Sequence, residues 1–152
     1  MTEIDQKHRS LPSTSLHDLF HAPDNSTSTF RTCFYITKVE PSNLADAVKS
    51  WDKTKKKAKD AKGVKGGEFI YQMQFLCKDV STQSNNNVYR ILLYTHEGLG
   101  SNFFTVKPSP DDKTKGRLDS IVSTLTKFNS WVDAVVERRN GYYFIKDTKF
   151  IY

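Results

Sequence analysis

No stretch of this 152-residue chain is apolar for long enough to cross a bilayer, and Met1 to Arg9 is too polar for a signal peptide. A soluble, intracellular protein with no membrane partner is expected. Cysteine is scarce. Cys33 and Cys77 both fall in expected strands, and an intracellular setting favours two reduced core thiols over a disulfide. With no further cysteine, and with His8, His17, His21 and His96 scattered, zinc-site spacing is missing. His17 and His21 are four apart, which suits two solvent-facing histidines on a short helix better than a metal site. Also missing are a glycine-rich phosphate loop, Gly-x-Ser-x-Gly, His-Glu-x-x-His and the kinase motifs. Asp79, Asp133 and Glu137 lie in or beside strands with no base or nucleophile paired to them, so solvation at strand edges explains them. The chain is expected not to be an enzyme, to need no cofactor or metal and to take no small-molecule substrate.

What is present is aromatic and β-branched. Ten Phe, seven Tyr and two Trp suit strands and leave rings over for a binding surface. The segment from Gly67 to Thr95 predicts a central hairpin. In its first arm Phe69, Tyr71, Met73, Phe75 and Cys77 alternate with Ile70, Gln72, Gln74, Leu76 and Lys78, the period of a half-buried strand. The second arm, Val88 to Tyr94, is apolar on both sides except at Arg90, which fits the middle of a sheet. Phe30 to Val39 predicts an earlier strand ended by Pro41, and Leu44, Val48 and Trp51 are spaced like a small helical face. Asp111 to Phe128 predicts an amphipathic helix, and Trp131 to Arg139 and Tyr142 to Tyr152 two strands around an Asn140-Gly141 turn. Near the start, Ser15 and Asp18 form a capping-box pattern for a short helix carrying Leu16, Leu19 and Phe20 on one face. Five strands with a helix between the third and fourth is the layout of an oligonucleotide/oligosaccharide-binding (OB) barrel. We therefore expect one all-β domain with flanking helices over 1–152, with 1–10 mobile and 53–67 a basic flexible loop.

The net charge is +6, and it is localised. Lys53, Lys55, Lys56, Lys57, Lys59, Lys62 and Lys65 surround a single acid, Asp60, so this segment alone carries the excess and the remaining body is neutral. These lysines are the candidate phosphate contacts. A neutral, aromatic-rich body otherwise suits a protein partner, held as an extended segment along a strand. From strand faces, the candidate partner-binding residues are Tyr35, Trp51, Ile70, Gln72, Gln74 and Leu76, the last four expected to be exposed on one side of their strand. The plain alternatives are a solvent face for those four, a packing role for Trp51 and a solvated linker for the lysines.

Specific wording sharpens this. Leu-Pro-Ser-Thr-Ser-Leu-His-Asp-Leu-Phe-His over 11–21, Asp79 to Thr95, Gly98-Leu-Gly-Ser-Asn-Phe-Phe104, and Leu125 to Tyr152 closely resemble the C-terminal region of the ciliate telomere end-binding protein alpha subunit family. The resemblance runs from about Lys7 to the last residue and is weakest in the lysine segment and in Lys107 to Lys115. It implies the third of three OB domains. In that family the first two domains, with a beta subunit, grip single-stranded telomeric DNA, and the third holds an extended segment of beta. The expectation is thus a nuclear, chromosome-end domain that binds the beta subunit and reaches telomeric DNA only through the full complex. The alternatives are direct binding of single-stranded telomeric DNA by this domain and self-association through an exposed strand edge.

Overall fold

Thr29–Glu40 forms a twelve-residue strand, labelled β2, whose Thr32, Phe34, Ile36 and Val39 point into the core. The computed structural model describes residues 2–22, 28–80, 87–127 and 130–150. The other strands are β1 (Thr2–Glu3), β3 (Val48–Asp52), β4 (Lys57–Asp60), β5 (Phe69–Asp79), β6 (Tyr89–Tyr94), β7 (Trp131–Arg139), β8 (Tyr142–Asp147) and β9 (Lys149–Phe150). The helices are α1 (Leu16–Phe20) and α2 (Asp112–Lys127), with single 3-10 turns at Gln6–His8, Leu44–Ala47 and His96–Gly98.

Five strands pair in a ring. β2 lies against β5, β5 against β6, β7 against β8, and β7 against β2, all antiparallel, while β6 meets β8 in parallel at Leu92 and Phe144. With α2 falling between β6 and β7 in the chain, this is the OB arrangement. The expected fold, the strand from Trp131 to Arg139 and the long helix all stand. Asn140 and Gly141 turn with φ of 52° and 81°, the twin positive values that a two-residue hairpin turn requires.

The interior is filled from the strands' inner faces and from both helices. Phe34, Phe75, Ile91, Leu93, Val132, Ala134, Val136 and Ile145 pack with Phe103 and Phe104 from the loop after β6 and with Leu118, Ile121 and Leu125 of α2. Leu16 and Leu19 of α1 are fully buried in the same cluster. The capping serine does what the pattern implies: Ser15 Oγ accepts from the Asp18 amide at 3.0 Å. A second anchor was not legible. The Asp79 carboxylate, expected to be merely solvated, accepts from the Leu16 and His17 amides and pins the start of α1 to the end of β5.

Several expectations are corrected. The segment from Leu44 to Trp51 is not a helix; after one 3-10 turn capped by Asn43 it becomes β3. The reason lies in β5. Its second half, Gln74 to Asp79, is taken by β2, which leaves Phe69, Ile70 and Tyr71 with unpaired backbone, and β3 supplies the partner. The lysine segment is not a loop throughout, since Lys57–Asp60 pairs with β3 as β4 and makes the sheet seven-stranded rather than five. Residues near the start are also placed, as β1 pairs with β9, so the last expected strand ends at Asp147 and resumes briefly at Lys149. Cys33 is only half-buried and sits opposite Asp133, whereas Cys77 is buried opposite Ile36; both are free thiols, and burial pushes both upward in pKa.

Candidate binding site

On β5 the side chains that turn away from the core are Gln72, Gln74 and Leu76, and the register sets Tyr94, Leu92 and Arg90 of β6 opposite them. Leu92 in turn meets Phe144 of β8, which stands opposite Glu137 of β7. One outward sheet face therefore carries amides, leucine and aromatic rings in adjacent rows. The strand alternation that filled the core from one side generated this face from the other.

Two cavities lie along it. The first, about 410 Å³, is lined by Glu40, Pro41, Gln72, Met73, Gln74, Leu92, Leu93 and Tyr94. Its polar groups are partly fixed: Gln74 Nε2 donates to Glu40 Oε2 at 3.0 Å, and Glu40 also pairs with Arg90 at 3.6 Å. The second cavity, about 180 Å³, is lined by Tyr94, His96, Leu99, Arg139 and Phe144. Tyr94 lines both. Beside it, His96 stacks on Trp51 with ring centroids 3.5 Å apart, and its Nδ1 lies 3.3 Å from the Glu68 carboxylate.

Gln72 and Gln74 are thus brought together at the larger cavity, and Leu76 continues the same face opposite Arg90. Ile70 is a correction. Alternation puts it on this side of β5, but it is only 2% exposed, so it is a buried support and not a contact surface. Trp51 is half-buried against His96 and borders the site. Tyr35 lines neither cavity; it stands opposite Lys78 and Trp131. Leu92, Tyr94, Phe144 and Arg139 were missed, although the alternation of Arg90, Leu92 and Tyr94 carried the signal for two of them.

The candidate phosphate contacts form a separate projection. Lys57 and Lys59 lie on β4, Lys53, Lys55 and Lys56 at the hairpin tip, and Lys62 and Lys65 on the return to β5, and all seven are exposed. The tip is a defined turn. Asp52 Oδ1 accepts from the Thr54 and Lys55 amides, both at 3.0 Å, and Lys56 takes a left-handed φ of 51°. These bonds, that of Lys55 above all, hold the Asp52 carboxyl below its usual pKa. Among the described residues no group of three or more His, Cys, Asp or Glu could hold a metal ion, and no helix is long and apolar enough to cross a membrane.

No family model matches the chain. A telomere-binding protein subunit alpha from Stylonychia mytilus is 56% identical over 100% of this chain and 33% of its own length. That of Sterkiella nova is 55% identical over 100% of the chain and 32% of its own length. The chain is a relative of the C-terminal third of ciliate telomere-binding alpha subunits. It therefore spans about a third of the length of these relatives. A chain in the crystal structure of fission yeast Pot1 and Tpz1 superposes with a TM-score of 0.60 at 11% identity, covering 99% of this chain and 96% of that one, which is a likeness of fold.

Proposed function

We propose that this chain is the non-catalytic docking domain of a telomere-capping alpha subunit, working in the nucleus at chromosome ends. It holds an extended segment of the partner beta subunit along the outer face of β5, β6 and β8 and so helps assemble the complex on single-stranded telomeric DNA. The observation that carries this is the lining of the larger cavity. Two leucines, a methionine and a proline give it apolar depth, Gln72 and Gln74 offer amides to a peptide backbone, and the one charged side chain in its lining is Glu40. Such a lining suits an extended peptide with an apolar side chain turned inward. It is unsuited to phosphates, for which the cavity offers no cation of its own.

The test is a titration of the chain with labelled peptides tiled across the beta subunit. One segment binds with an affinity that changes little between low and high salt, and Leu92→Asp weakens it at least tenfold while leaving the thermal midpoint near its original value. If no beta segment binds, or if telomeric oligonucleotide displaces the bound peptide from this face, the alternative of direct DNA binding by the groove replaces the docking reading.

A further inference from the structure

The β3–β4 hairpin and the return from it to β5 carry seven lysines and one acid from Lys53 to Lys65, an excess equal to the net charge of the whole chain. Among the described residues, none of Lys53, Lys55, Lys56, Lys57, Lys59, Lys62 and Lys65 forms an ion pair. The acids nearby are engaged with backbone: Asp52 holds the tip, and Asp60 accepts from the Lys62 amide at 2.9 Å. Like charges gathered this closely repel one another, so their arrangement costs stability until an anion neutralises them.

The lysines are also arrayed rather than strewn along a coil. Four cross-strand pairs, from Lys49 with Asp60 to Asp52 with Lys57, hold the hairpin, and Lys57 and Lys59, two residues apart, project from the same side about 7 Å from one another. The hairpin lies in the connection between the first and second barrel strands, which in this fold class borders the ligand face. Trp51, opposite Ala58, sits one pair from its tip, and the row of rings formed with His96 and Tyr94 begins there.

We propose that this hairpin is a contact surface for the sugar-phosphate backbone of single-stranded nucleic acid, separate from the peptide groove. Composition argues for a nucleic acid over an acidic protein. Lysine is depleted at protein interfaces, whose energy comes from buried aromatic and arginine anchors. From Lys53 to Lys65 the hairpin offers no aromatic and no arginine, only Ala58, Ala61 and Val64 among apolar side chains. Lysine ammonium groups are point charges that bind phosphates without demanding one geometry. The contact is accordingly indifferent to base sequence and sensitive to salt, with Trp51, one pair from the tip, close enough to meet a base.

The experiment is fluorescence anisotropy of the chain with a labelled single-stranded oligothymidine across a salt series, for the natural sequence and for K55Q/K57Q/K59Q. Removing three exposed lysines does not lower the thermal midpoint, weakens binding at low salt at least tenfold, and lowers the slope of log K against log salt by about 2, at ~0.7 per lost contact on a single strand. Leu92→Asp, in the groove, leaves oligothymidine binding unaltered. Equal binding by the triple variant would overturn the proposal. So would loss of binding in Leu92→Asp, or displacement of the oligonucleotide at equal charge by polyglutamate or by phosphatidylserine vesicles, which would make the surface a general polyanion site.

Discussion

Trp51 and His96 lie face to face, with ring centroids 3.5 Å apart and planes 20° from parallel, although one belongs to β3 and the other to the turn after β6. The stack ties the basic hairpin, one pair from its tip, to the end of the binding face. Its neighbours complete the brace: the Trp51 amide donates to the Glu68 carbonyl at 2.9 Å, and the Glu68 carboxylate faces His96 Nδ1. An aromatic pair of this kind contributes about 0.5–1.5 kcal/mol beyond its buried area. A double-mutant cycle of Trp51→Ala and His96→Ala, read by urea denaturation, returns a coupling energy in that range. Additive losses would mean the two rings are neighbours without being partners.

Much of the barrel was legible because its signals are local. The alternation from Phe69 to Cys77, the helical spacing of Leu118, Ile121 and Leu125, the Ser15 cap and the Asn140-Gly141 turn each lie within a few residues of what they determine. β3 was not, since Leu44, Val48 and Trp51 fit a helix equally well, and the half of β5 that β2 leaves unpaired decided the matter. Ile70 shows the same limit. Alternation assigns it correctly to the outer side of β5, but whether that side is covered depends on elements brought there by the fold. The face itself was half-legible: Gln72 and Gln74 came from one strand's pattern, while Phe144 joins them only through the parallel contact between β6 and β8.

Ile70 and Leu76 therefore respond differently to truncation. Ile70 is 2% exposed, and Ile70→Ala costs about 2–5 kcal/mol by chemical denaturation, the range for emptying a buried aliphatic site. Leu76 is half-buried on the outward face, and Leu76→Ala stays within about 1 kcal/mol. Equal losses at the two positions would put Leu76 in the support with Ile70.

Gly100 marks where the loop after β6 closes onto the barrel. Its φ is +67°, and a Cβ built there would sit 2.8 Å from the Ile145 carbonyl oxygen and 2.8 Å from Leu93 Cδ1. The left-handed conformation alone costs a residue with a Cβ about 1–2 kcal/mol, and the oxygen belongs to backbone that is fixed in β8. Gly100→Ala is expected to lose more than 2 kcal/mol in all, on the order of the left-handed cost plus a core clash. Gly98→Ala, with a φ of +83° but nothing within 4 Å, pays only the conformational part. Thermal midpoints of the two variants, compared side by side, check the ranking.

The pH response of the hairpin tip follows from Asp52. Its carboxyl is held below the usual range, first by the Lys55 amide, then by the Thr54 amide and by the positive charges of Lys59 and Lys55. A carboxyl depressed in the folded state binds its proton more readily when the tip is open. The order it lends is therefore fully present above the open-state midpoint of about 3.9 and drains away as pH falls through the lower folded value. Amide resonances of Thr54 and Lys55 followed by NMR should hold their positions down through pH 4 and move only in more acid solution. Asp52→Asn removes that acid limb. Replacing Lys55 and Lys59 with Gln raises the midpoint, because two of the charges that favour the carboxylate are gone; a midpoint unmoved by their loss would show that the amide bonds alone set it, and that the lysines stand too far from the turn to act on it.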